Sequence, residues 1–189
     1  MAMVVLLGMT LIGAGGCSTG VSTVAIPSTA DTDRVCHMFS AAAVRTVSGE
    51  KAPAVEDQEF LVDSAAGRLS DGRCVLRAGD VYLRADLRWK PTAADRAEAR
   101  SDLSSPPKDV TVRSIPDGEG IGFVRTTRAA KGQVVGALLR GQYELALVLT
   151  GVPEPRDSLT DAQALILQMA DALAIPVSES AERPKAPRG

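Results

Sequence analysis

The sequence predicts an α+β domain: an antiparallel sheet of about five strands, packed by a C-terminal helix and one or two short helices, with one disulfide. Three observations carry that expectation. Val81–Trp89 alternates apolar and polar side chains, the period-two pattern of a half-buried strand. Two apolar runs, Gln133–Arg140 and Tyr143–Thr150, are separated only by Gly141-Gln142, a link of hairpin length. Leu159–Ile175 carries a single apolar stripe (Ala162, Leu165, Ile166, Met169, Leu173) at helical spacing, which suits a helix lying on a sheet. The order helix, strands, helix, strands, helix, with short hairpin links, predicts an antiparallel sheet covered on one face.

The elements follow in order. Ser40 is a good N-cap for a short helix over Ala41–Val47, and Gly49 a good terminator. Residues 50–58 are polar and contain proline, so they read as a loop. Phe60-Leu61-Val62 begins a strand, and Ser70-Asp71-Gly72 reads as a turn. Cys74–Arg77 pairs with Val81–Trp89 across Ala78-Gly79-Asp80. In that strand Val81, Leu83, Ala85, Leu87 and Trp89 face a core, while Tyr82, Arg84, Asp86 and Arg88 face water. Thr92–Leu103 reads as a charged, exposed helix stopped before Pro106-Pro107. Ile121–Thr127 is a further strand. Thr160-Asp161-Ala162-Gln163 matches a capping box at the start of the last helix, which Pro176 prevents from continuing.

A chain of 189 residues, 45% hydrophobic and 23% charged with net charge −2, suits one folded domain with tails. That balance carries no basic signature of a nucleic-acid-binding protein, so no nucleic-acid partner is expected. Residues 1–30 contain no charged side chain. Within them Met3 to Ile12 is an apolar run too short to cross a bilayer, where about 20 residues are needed, but the right size for a secretory leader. Small residues follow, Gly13-Ala14-Gly15-Gly16, and then Cys17. This arrangement resembles the lipobox of bacterial lipoproteins, although Ala14 stands where leucine is most frequent in that family and no basic residue precedes the apolar run. The resemblance implies a signal peptide over residues 1–16, cleavage before Cys17, and acylation of its thiol, making membrane lipid the first partner. The alternative is an uncleaved N-terminal anchor or a glycine-rich leader. Ser18 to Thr32 reads as a flexible tether completing a lipid-anchored segment over 17–32, residues 33–177 as one domain, and residues 178–189 as a disordered tail.

The other two cysteines, Cys36 and Cys74, most simply form one disulfide in an exported domain, closing a loop of about 38 residues. The alternatives are unpaired thiols, or a metal site in which Cys36, His37 and Cys74 supply at most three ligands. Other candidate chemistry is sparse. Gly118-Glu119-Gly120-Ile121-Gly122 lacks dinucleotide-loop spacing and reads as a turn between strands. His37, the one histidine, is a candidate general base for a serine, but no nucleophile-elbow pattern is present and Ser40 is better explained as a cap. Glu56, Asp57 and Glu59 read as solvated loop charges, without calcium-loop spacing. Arg84 and Arg88, flanking Asp86, read as a solvated ladder or as a face for an anionic partner.

A first helix led by Cys36 and ended by glycine, a second cysteine opening a hairpin, a glycine-rich turn and a C-terminal helix together resemble the small actinobacterial lipoproteins of unknown function, over about residues 33–175. The resemblance implies location, disulfide and fold class, and no catalytic residue. The expected function is a membrane-anchored, extracytoplasmic, non-catalytic binding or accessory module of the cell envelope, with no cofactor or metal, whose partner is an envelope protein or a small ligand. The alternatives are an envelope hydrolase using His37, and a sensor that contacts a membrane protein through the Arg84/Arg88 face.

Overall fold

The computed structural model describes residues 24–26, 32–108, 110–128 and 130–187. The leader and Cys17 lie outside the described residues. The fold is α+β. Its strands are β1 (Arg34–Val35), β2 (Phe39–Ser40), β3 (Ala54–Asp63), β4 (Arg68–Ala78), β5 (Val81–Trp89), β6 (Val112–Ser114), β7 (Ile121–Thr126), β8 (Val134–Arg140) and β9 (Tyr143–Thr150). The helices are α1 (Ala41–Val47), α2 (Ala93–Leu103) and α3 (Ser158–Ala172). β1 and β2 pair with each other, and the other seven strands form one antiparallel sheet in the order β3-β4-β5-β9-β8-β7-β6. The sheet is therefore larger than the expected five strands.

The sheet consists of two hairpin-linked meanders, β3-β4-β5 and β6-β7-β8-β9, joined along a seam where β5 pairs β9 from Tyr82↔Thr150 to Trp89↔Tyr143. Period-two alternation explains why the seam is stable. It places Val81, Leu83, Ala85 and Leu87 beside Tyr143, Leu145, Leu147 and Leu149 on one buried face. The α3 stripe Ala162, Leu165, Ile166, Met169 and Leu173 packs on that face and is buried throughout, with α1 contributing Val44 and Val47. The opposite face is covered only in part. There α2 sets Ala99 and Leu103 against Phe123 of β7 and Leu139 of β8 as a separate small apolar cluster. The expectation of a sheet covered on one face thus holds for β4, β5 and β9; β7 and β8 are covered on both faces, and β3 is largely exposed on both.

Several local expectations are corrected. Residues 54–58 are strand, not loop, and Phe60-Leu61-Val62 lie within β3 rather than opening it. The polar run misleads because β3 is an edge strand exposed along most of its length, so neither of its faces demands continuous apolar alternation. Ser70-Asp71-Gly72 lies inside β4, and the chain turns instead at residues 64–67. Gly72 is needed for packing, since a Cβ there would meet the Phe60 ring at 3.0 Å. The cap of α3 is Asp157, whose side chain accepts from the Leu159 and Thr160 N–H groups, so the helix starts before the Thr160-led capping box. Thr160 hydrogen-bonds Asp157, and Gln163 reaches the Ser114 carbonyl. The expected cap of α1 at Ser40 and its stop at Gly49 (φ 69°) are present, and Thr92, expected as the first residue of the second helix, is the N-cap of α2 instead.

Both ends of the described chain are docked. Within the segment read as tether, Ile26 is buried in the main core, and the Val24 carbonyl accepts from Arg156, whose guanidinium forms a buried ion pair with Asp161 at 2.5 Å. Residues 178–187 do not form a free tail. The Pro184 carbonyl accepts from the Leu69 N–H, Lys185 bridges to Arg68, and the Arg183 guanidinium lies 3.8 Å over the Trp89 ring. The segment extends the sheet beside the start of β4, where β5 has ended, satisfying backbone groups that composition alone leaves unassigned.

Candidate partner-binding face

The exposed half of the outer face is built by strand register. Opposite residues fall in rows across the sheet: Glu59 by Arg73, Arg73 by Asp86, Asp86 by Ala146. One row along, Asp57, Val75, Arg84 and Val148 align, and on the other side so do Leu61, Asp71, Arg88 and Glu144. The alternation that buries Val81, Leu83, Ala85 and Leu87 therefore delivers Arg84, Asp86 and Arg88 to this face, as the sequence predicts.

Asp86 is the electrostatic centre. Arg84 donates to it through Nε at 2.7 Å and Nη2 at 3.2 Å, and Arg73 donates from the neighbouring strand at 3.1 Å. Burial alone would raise the Asp86 carboxyl, but the hydrogen bonds from Arg84 and Arg73 outweigh it and hold the group below the ordinary carboxylate range. The bond to Asp86 likewise raises Arg84. Lys90 pairs with Glu144 at 2.6 Å, and Arg77 pairs with Glu56 at 2.6 Å while lying 5.1 Å over the Tyr82 ring. Most of the ladder is thus neutralised within the sheet, which leaves little cationic field for an anionic partner. Arg88 forms no ion pair among the described residues, although it stands beside Asp71 and Glu144. A cleft of about 210 Å³ lies here, lined by Glu59, Leu61, Asp71, Arg73, Asp86 and Arg88. That volume falls short of the roughly 300–1,000 Å³ typical of small-molecule pockets.

The cysteines meet as expected: Cys36 and Cys74 form a disulfide with Cα atoms 5.9 Å apart, joining the β1–β2 turn to β4. Cys36 and His37 both have left-handed backbones (φ 52° and 56°), a strained pair held in place by the bond on one side and by fully buried Met38 and Phe39 on the other. His37 is half-buried, edge-on to Phe60 at 6.0 Å between ring centres, and borders an open groove of about 450 Å³ with Arg34, Leu173 and Lys185. Ser40, the serine nearest in sequence, is occupied as the α1 cap, accepting from the Ala43 N–H at 3.3 Å. The structure does not bring the two together as nucleophile and base. Gly118-Glu119-Gly120 forms the turn into β7. Gly122 is demanded by close approach, since a Cβ there would collide with the Ala137 carbonyl oxygen. Among the described residues no group of three or more His, Cys, Asp or Glu is placed to hold a metal ion, and no helix is long and apolar enough to cross a membrane.

What sequence reasoning misses is the role of Glu56, Asp57 and Glu59, which sit on the free edge strand rather than in a loop. The available signal is the apolar Val55 and Phe60-Leu61-Val62 on either side of them, long enough together to match β4. The chain matches no protein-family model, no curated protein and no solved structure.

Proposed function

We propose that this protein is a lipid-anchored, extracytoplasmic, non-catalytic binding module of the cell envelope, acylated at Cys17 after removal of residues 1–16. The observation that carries the binding role is the uneven cover of the sheet. α2 shields β7 and β8, while the outer face of β3, β4, β5 and β9 presents side chains to solvent in rows set by register. A broad face with a shallow cleft suits a polypeptide partner better than a small ligand. The anchor is supported by the Cys17 pattern together with the Cys36–Cys74 bond, a type of bond that persists outside the reducing cytosol. Attachment of two or three acyl chains retains a protein stably on a membrane, where one chain binds only marginally.

Intact-mass measurement of protein extracted from membranes tests the anchor. The expected mass lacks residues 1–16, carries diacylglycerol on Cys17, and is lower by two hydrogens for the disulfide. An uncleaved and unacylated mass overturns the anchored reading.

A further inference from the structure

We propose that the free edge of β3 is a docking site for an extended, basic segment of a partner protein, which adds to the sheet as an eighth strand. The sheet has two edges. One is β6, three residues long; the other is β3, ten residues long and paired only with β4. An unpaired strand edge exposes a row of N–H and C=O groups that another extended chain can satisfy. β3 also carries Val55, Leu61 and Val62, at 48%, 51% and 45% exposure, which are half of the six large apolar side chains left exposed among the described residues.

Charge decides the occupant. β3 bears Glu56, Asp57, Glu59 and Asp63. Glu56 is paired with Arg77 and Asp63 with Arg183, while Asp57 and Glu59 form no ion pair among the described residues. A second copy pairing along this edge would bring acid against acid, which disfavours self-association. A basic strand is complementary instead. Asp57 and Glu59 point to the same face, two residues or roughly 7 Å apart, so they match cations at alternate positions of an added strand. The residues between and beyond those cations fall on the other face, beside Gln58, Phe60 and Val62, and apolar side chains there extend the surface of Phe60 and Val62. The segment recognised therefore alternates lysine or arginine with apolar residues. This identity of partner rests on the binding-module reading and is independent of the anchor.

The test uses the full chain in detergent with a peptide of about nine residues alternating lysine and valine, and a control in which glutamate replaces lysine. The lysine peptide is expected to bind and to slow backbone amide exchange along Ala54–Asp63. The double variant Asp57→Lys/Glu59→Lys is expected to weaken that binding about tenfold and to accept the glutamate peptide instead, an exchange of preference that an unfolded variant would not show. Three results overturn the proposal: no binding of the lysine peptide, protection elsewhere without protection of β3, or concentration-dependent dimers that protect β3 without peptide, which would make a second copy the occupant. None of these bears on the mass result that tests the acylated cysteine.

Discussion

Tyr143 fastens one end of the seam to the strand beyond it. It is fully buried at the start of β9, and its hydroxyl donates to the Leu69 carbonyl at 2.6 Å, tying β9 to β4 across the intervening strand. Burial pushes its phenol up to about 12 from the ordinary 10. The folded chain therefore keeps a proton that the unfolded chain gives up, so stability is fully present below pH 10 and falls as pH rises from 10 to about 12. The loss amounts to roughly 2–3 kcal/mol. In Tyr143→Phe that alkaline loss should vanish. Stability at neutral pH should drop by about 1–3 kcal/mol, because the buried Leu69 carbonyl loses its donor. Urea midpoints of the two proteins at neutral and alkaline pH measure both effects, and an unchanged alkaline slope in the variant would refute the assignment. The ion pairs on the open face, in contrast, are solvent-screened contacts of small individual worth.

Among the elements, the helices illustrate how caps and faces fix where a segment starts and what it covers. α3 begins where the Asp157 carboxylate accepts from the N–H groups of Leu159 and Thr160, at 3.0 and 3.2 Å, and Arg113 reaches the same carboxylate at 2.9 Å. The Thr160 hydroxyl bond foremost, and then the backbone N–H groups and Arg113, hold the Asp157 carboxyl below its ordinary value against the effect of burial. Its folded value is depressed, so the stability it contributes is present above pH 3.8 and is lost as pH falls through the lower folded value. Asp157→Ala should cost about 1 kcal/mol, and Thr160→Ala less, because Thr160 supports the cap without being it. Thermal unfolding of the two variants checks the order, and an equal or larger loss for Thr160→Ala would restore the capping box read from the sequence. The cap is legible in the sequence as a residue type but not as a position, because Asp157 and Thr160 both suit an N-cap and only the backbone path after β9 chooses between them. β3 is hard to read for the opposite reason: an edge strand lacks the burial that writes a period into its sequence.

Across the molecule as a whole, the disulfide joins the N-terminal β1–β2 turn to the centre of β4 over a separation of 38 residues. In the chain-entropy account a loop of that length contributes roughly 3–4 kcal/mol, a large part of a typical 5–15 kcal/mol. The Cys36→Ser/Cys74→Ser variant should lose about that much in urea denaturation, and a loss below about 1 kcal/mol would show that packing of Met38 and Phe39 alone holds the turn. The connection from β5 to β6 sets the open face, since α2 lies within it and covers only the β7–β8 half of the outer surface.

The fold class, the strands β5, β7, β8 and β9, all three helices and the pairing of Cys36 with Cys74 are written locally, in periodicity, capping chemistry and cysteine count. The pairing of β5 with β9, the free edge of β3, the crossing of α2 to the other face and the return of residues 183–185 to the sheet emerge only when the chain is folded. Those outcomes depend on contacts between segments far apart in the chain, and no short window of residues records which distant neighbour will satisfy its backbone or bury its side chains.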